Sequence, residues 1–157
     1  MPKTDDGVSQ ACSKIEIQPG CTGAWYDVGG EMNTVSNTKV TRETGSVAVF
    51  NDQRHVTAGG KTPPITVTFG GVYSEVPTEA FWLIKTAWET AGVSDCDKKM
   101  CVRWIPKGGT AGDAQYEMTD NPQLVGFMYP ALDAANAAPI AFEFDIYGYI
   151  DSDTFVS

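Results

Sequence analysis

The sequence predicts a mainly β domain, a sandwich or small barrel of about eight short strands with one α-helix against its side. Three observations carry this expectation. Apolar residues alternate with polar ones in several short runs, the period of a half-buried strand. Gly and Pro residues punctuate those runs. One stretch alone, residues 78–91, changes to helical spacing. A length of 157 residues fits one domain, and 42% hydrophobic with 11% aromatic side chains gives it a core to bury.

The elements follow in chain order. Residues 1–14 are polar and read as a flexible N-terminal arm. Ile15 and Ile17 alternate with Lys14, Glu16 and Gln18, a short strand stopped by Pro19-Gly20. The run from Ala24 to Val28 ends at Gly29-Gly30, and residues 35–40 are polar and weakly patterned. Val47, Ala48, Val49 and Phe50 read as a strand. So do residues 65–69, with Ile65, Val67 and Phe69 on one face and two threonines on the other. Between these two lies a long inter-strand loop, 51–64, with Gly59-Gly60, Pro63-Pro64 and the basic residues Arg54, His55 and Lys61. That is long for a hairpin connection. It reads either as a mobile surface loop or as a contact arm.

Thr78 is placed to cap the helix, with Pro77 before it and Glu79 in its first turn. Phe81, Ile84 and Trp88 form its apolar stripe, and Gly92 supplies the stop. A strand over 100–105 ends at Pro106 and a Gly-rich turn follows. A short strand-like segment, Tyr116 to Met118, and a strand over 124–129 come next, then an Ala-rich connection. The final strand has the clearest pattern: Ile140, Phe142, Phe144 and Ile146 on one face, Glu143 and Asp145 on the other. Residues 151–157 read as a C-terminal tail.

The chemistry the chain can host is limited. The net charge is −9, from 20 acidic against 11 basic side chains, so its bulk charge repels nucleic acid phosphate. His55 is the one histidine, and it lies in a Gly/Pro loop. A nucleophile–histidine pair has no better candidate, so no catalytic residue is assigned. The Gly-rich run at 108–112 lacks the lysine and following helix of a phosphate loop. No cofactor is implied. The four cysteines, Cys12, Cys21, Cys96 and Cys101, admit three readings: free thiols, a disulfide, or zinc at unfavourable spacing. Cys96 and Cys101 flank a polar, turn-like stretch and are the candidate pair; no metal site is assigned. The N-terminal residues show no apolar stretch of signal-peptide length, and no segment has the roughly 20 apolar residues of a membrane span.

A recognisable order runs through these elements. Trp25, Asp27 and Gly29-Gly30 lead into polar residues 32–36. Glu43-Thr44 opens a strand to Phe50, and the Gly/Pro loop leads to Ile65, Val67 and Phe69. The helix, the Arg103-Trp104-Ile105-Pro106 strand with its Gly-rich turn, and the Phe-rich strand ending at Gly148 complete it. Over residues 15–150 this order resembles the tail tube (major tail) proteins of siphophages, the long-tailed bacteriophages. The four cysteines depart from the family's pattern. The resemblance implies a non-enzymatic virion protein made in the host cytoplasm. It implies homo-hexameric rings, stacked into a tube around a channel for DNA ejection. The long loop, with Arg54, His55, Val56, Gly59, Gly60 and Lys61, would contact the next ring. Tape measure and tail terminator proteins would be its partners, and DNA would pass without specific binding. Glu143 and Asp145 point away from the core, so in a ring they face either the channel or bulk solvent. The alternative function is a small β-sandwich binding or decoration module of a virion or cell surface.

Overall fold

The computed structural model describes residues 8–90 and 98–156. A 3-10 turn, Gln10–Cys12, precedes β1 (Lys14–Pro19), β2 (Tyr26–Asp27), β3 (Met32–Ser36), β4 (Thr44–Val47), β5 (Val56–Gly59) and β6 (Ile65–Val72). The helix α1 (Ala80–Glu89) follows, then β7 (Met100–Ile105), β8 (Ala114–Met118), β9 (Gln123–Phe127), β10 (Ala141–Gly148) and β11 (Asp151–Thr154). The strands form a five-stranded sheet in the order β11-β8-β7-β1-β2 and a four-stranded sheet in the order β3-β6-β10-β9. The third sheet is the pair β4-β5 alone. Every named pairing is antiparallel.

The two larger sheets share one core, which makes the body an open sandwich. Ile17, Met100, Val102 and Met118 face it from the five-stranded sheet; Val67, Phe69, Phe142, Phe144 and Ile146 face it from the four-stranded sheet. Strand alternation puts these residues there, because every second side chain of a pleated strand leaves by the same face. Phe69 and Phe144 stack at 5.0 Å across the β6–β10 pairing. The helix closes the sandwich by inserting Phe81, which meets Tyr73 at 4.7 Å, Phe142 at 5.4 Å and Phe127 at 5.5 Å. Ala80 and Ile84 are buried beside it.

Four expectations from the sequence change here. The helix starts at Ala80, with Glu79 at its N-cap and no side-chain cap. Thr78 does not cap it, because a turn bonding Glu79 N–H to the Val76 carbonyl delays the helical register, and the Trp82 indole N–H then bonds the Ser74 carbonyl at 2.8 Å. The stop assigned to Gly92 lies outside the described residues. The strand expected at 47–50 ends at Val47, and the loop expected at 51–64 contains β5, paired with β4. The expected tail forms β11 on the edge of β8, and Phe155 beyond it is buried. An edge strand reading Asp-Ser-Asp-Thr carries no apolar signal because neither of its faces covers the core.

Candidate functional site

The segment between β3 and β6 is an arm. All eight residues of β4 and β5 are exposed, and among the described residues the two strands pair as a sheet only with each other. Thr44 sits opposite Gly59 and Val47 opposite Val56. The base of the hairpin is held by Gly60 N–H to the Glu43 carbonyl at 2.6 Å and by Glu43 N–H to the Lys61 carbonyl at 2.9 Å. A Cβ at Gly60 would lie 3.1 Å from the Glu43 Cβ, so a glycine fits this crossing best. At the far end Asn51 turns with φ +64°, and Arg54 N–H bonds the Asp52 carboxylate at 3.0 Å. Arg54, His55, Val56, Gly59, Gly60 and Lys61 are therefore all exposed, spread from the tip of the arm to its base. Sequence reading missed Phe50. It stands at the tip with 99% of its surface exposed. Its apolar run looked like a buried strand because periodicity does not report whether a sheet lies beneath it.

The outward face of the four-stranded sheet is the second surface. Glu143 and Asp145 both leave β10 on this face. Glu143 is exposed. Asp145 is half-buried and accepts a 2.8 Å bond from the Thr68 hydroxyl, which accepts in turn from the Asn37 amide at 3.2 Å. Gly126 lies opposite Asp145 on β9, and a Cβ there would overlap the Asp145 carboxylate. A glycine inside a strand signals such a close approach, and this was the clue in the sequence to the supported carboxylate. No Lys or Arg occurs in β3, β6, β9 or β10.

The outward face of the five-stranded sheet has the opposite character. Glu16 of β1 is 5% exposed and lies between two cations. Lys14 Nζ is 2.8 Å from its carboxylate, Arg103 Nε bonds it at 2.5 Å, and the Arg103 terminal nitrogen pairs with the same oxygen. Burial by itself pushes the Glu16 carboxyl up; the hydrogen bonds and charges of Lys14 and Arg103 outweigh it and hold the group below the usual carboxylate range. Trp25 covers Arg103 at 4.3 Å, and Phe155 lies over both Lys14 and Arg103. The charges are satisfied and lidded by aromatic rings, which is the arrangement of a structural cluster rather than an open site.

The cysteine pairing differs from the expectation. Cys101 is bonded to Cys21 with Cα atoms 5.0 Å apart, so it is not available to Cys96, which lies outside the described residues. The register explains the choice. Gln18 sits opposite Cys101 in the β1–β7 pairing, and the turn after Pro19 returns Cys21 to that strand through a Cys21 N–H bond to the Gln18 carbonyl at 3.1 Å. Among the described residues no group of three His, Cys, Asp or Glu side chains is placed to hold a metal ion. No helix among them is long and apolar enough to cross a membrane.

No protein-family model matches the chain, and no curated protein matches it in sequence. Solved structures do match its fold along nearly the whole length. A chain of the sheath–tube complex of the extracellular contractile injection system PVC, in its extended state, superposes with a TM-score of 0.71 at 11% identity, covering 96% of this chain and 93% of that one. A chain of the tube-terminating cap of the anti-feeding prophage gives 0.71 at 9% identity, covering 98% and 95%. A chain from the tail of an empty GTA particle, refined with C6 symmetry, gives 0.60 at 12% identity, covering 96% and 100%. These are components of tails and injection systems, and none is described as an enzyme. At such identities the shared property is the fold, and this chain has the fold found in tail and injection-tube assemblies.

Proposed function

We propose that this chain is a non-enzymatic structural subunit of a bacteriophage tail tube, in which copies close into hexameric rings and the rings stack around a channel. The observation that carries the reading is full-length fold similarity to chains of tube and tail assemblies, one of them refined with sixfold symmetry. The free arm agrees with it, since a hairpin with no contact of its own to bury is an element built for a neighbour. So do the edge strands of the four-stranded sheet: among the described residues β3 pairs with β6 alone, and β9 pairs with β10 and beyond that only through a bridge between Gln123 and Lys99 at its start. Ring closure would pair them and remove the aggregation hazard of free edges.

In this reading the four-stranded sheet lines the channel, with Glu143 and Asp145 toward it. Sixfold repetition makes each carboxylate a ring of charge, and the confined channel concentrates the field. With no cation on its strands the wall offers DNA no binding well, so DNA passes without adhering. Tail terminator and tape measure proteins are the partners the reading implies, and the virion tail is the location. The siphophage type comes from the order of elements in the sequence. Negative-stain electron microscopy of the purified chain tests the reading: rings or tubes with a central channel are expected, and dispersed monomers at every concentration overturn it.

A further inference from the structure

The arm and one groove of this molecule lie at opposite ends of the same sheet and complement each other. The arm connects β3 to β6, so it leaves the four-stranded sheet at the end marked by Ser36 and Ile65. The connection between β9 and β10 leaves the other end, because Ala141 is paired with Val72 while Gly148 is paired with Ile65. The length of β6 separates these ends, roughly 23 Å at the usual rise per strand residue. That connection folds into an open groove of about 650 Å³ whose lining includes Met128, Leu132, Asp133, Asn136, Pro139 and Ile140. Leu132 is 80% exposed at it. Its shape is built in: Asp133 accepts from Ala135 N–H and Asn136 from Ala138 N–H, each at 3.0 Å.

Charge complements shape. Residues 38–62 hold Lys39, Arg42, Arg54 and Lys61 against Glu43 and Asp52, a net +2; the rest of the chain therefore carries −11 of the total −9. The groove holds one charged side chain, Asp133. At the same end of the sheet lie Glu31 and Glu79, which line a smaller hollow beside Val72. Burial, then the neighbouring Glu79 and Asp27 charges, raises the Glu31 carboxyl above its ordinary range. An approaching cation would relieve that cost.

Resting on the tube reading above, we infer that Phe50 of one copy seats in the 128–141 groove of the next, with Arg54 against Asp133. The other hollows fit less well. The cavity between α1 and the β1–β2 connection is apolar, and its described lining holds no carboxylate to meet Arg54. The cavity by the 3-10 turn carries no charged side chain among its described residues and adjoins β3, the arm's own root. Each copy then offers one arm at one end and one groove at the other. Such a contact is head-to-tail and repeats without closing between two copies, so it propagates along the stack.

Engineered crosslinking tests this. The double variant Phe50→Cys, Leu132→Cys is made in a Cys12→Ser, Cys96→Ser background, assembled, oxidised and run without reductant. A ladder extending past the dimer is expected, absent from either single variant. Arg54→Glu, an exposed change with circular dichroism as its folding control, should lower the assembled fraction at least tenfold. Tubes that form without crosslinks overturn the docking and leave the tube reading intact. A dimer with nothing longer overturns it too, since it marks a closed, symmetric contact. Dispersed monomers overturn both.

Discussion

Glu16 shows how a single side chain decides the outer face of the five-stranded sheet. Its carboxylate is buried and satisfied by Lys14 and Arg103, so removing it leaves two cations against covered aromatic surface. Glu16→Ala should cost about 2–3 kcal/mol, at the lower end for a broken buried pair because Arg103 keeps its stacking on Trp25. The folded-state carboxyl titrates below its unfolded value. Its contribution is therefore full above the unfolded pKa and is lost as pH falls through the folded one. Thermal melts from neutral to acid pH should show Glu16→Ala flattening part of the acid-side decline; a parallel offset at all pH values would remove the role of ionisation. The sequence showed Glu16 only as the polar half of an alternation. Its cover, Arg103 from 87 positions away, is a tertiary fact.

The same scale decides the disulfide. Cys21 and Cys101 are 80 positions apart, so the bond closes a large loop in the unfolded chain. Cys21→Ser should destabilise the monomer by roughly 2–4 kcal/mol, read as a lower melting temperature. Intact mass after alkylation without reductant should show two fewer modified thiols than with it. Equal labelling in both would mean the bond does not form.

At the scale of elements, the arm is the part whose stability is separable from the body. Its strands bury nothing, whereas β3 and β6, from which it springs, are paired directly. Replacing residues 44–59 with a short Gly/Ser linker should shift the melting temperature little and abolish tube growth, with light scattering and microscopy as readouts. Tubes of normal length would show that stacking does not use the arm. The helix is the contrasting case. Its stripe of Phe81 and Ile84 was legible because an amphipathic helix must turn one face to a core. Its start was not legible, since the Ser74 carbonyl that fixes Trp82 belongs to the fold rather than to a capping pattern.

At the scale of the whole molecule, the prediction concerns the channel. Glu143 is the cleaner probe, because Asp145 also holds Thr68 and sits over Gly126. Glu143→Lys should leave folding within about 0.5 kcal/mol, as expected of an exposed position. In assembled particles it should slow DNA release, by placing a ring of cations against phosphate. Release at the normal rate would take Glu143 off the channel wall.

The sequence by itself determined the class of the fold and, of the four residues expected inward, Phe142, Phe144 and Ile146 with their outward partners Glu143 and Asp145; the fourth, Ile140, precedes the strand and is half-buried. These follow from period and composition, which are local or additive properties. The tertiary structure alone decided that Cys101 meets Cys21, that Asp145 is braced by Thr68, that Phe50 stands free, and that Asp-Ser-Asp-Thr is a strand. Each of these depends on which strand lies beside which, and antiparallel register joins residues that no local window contains.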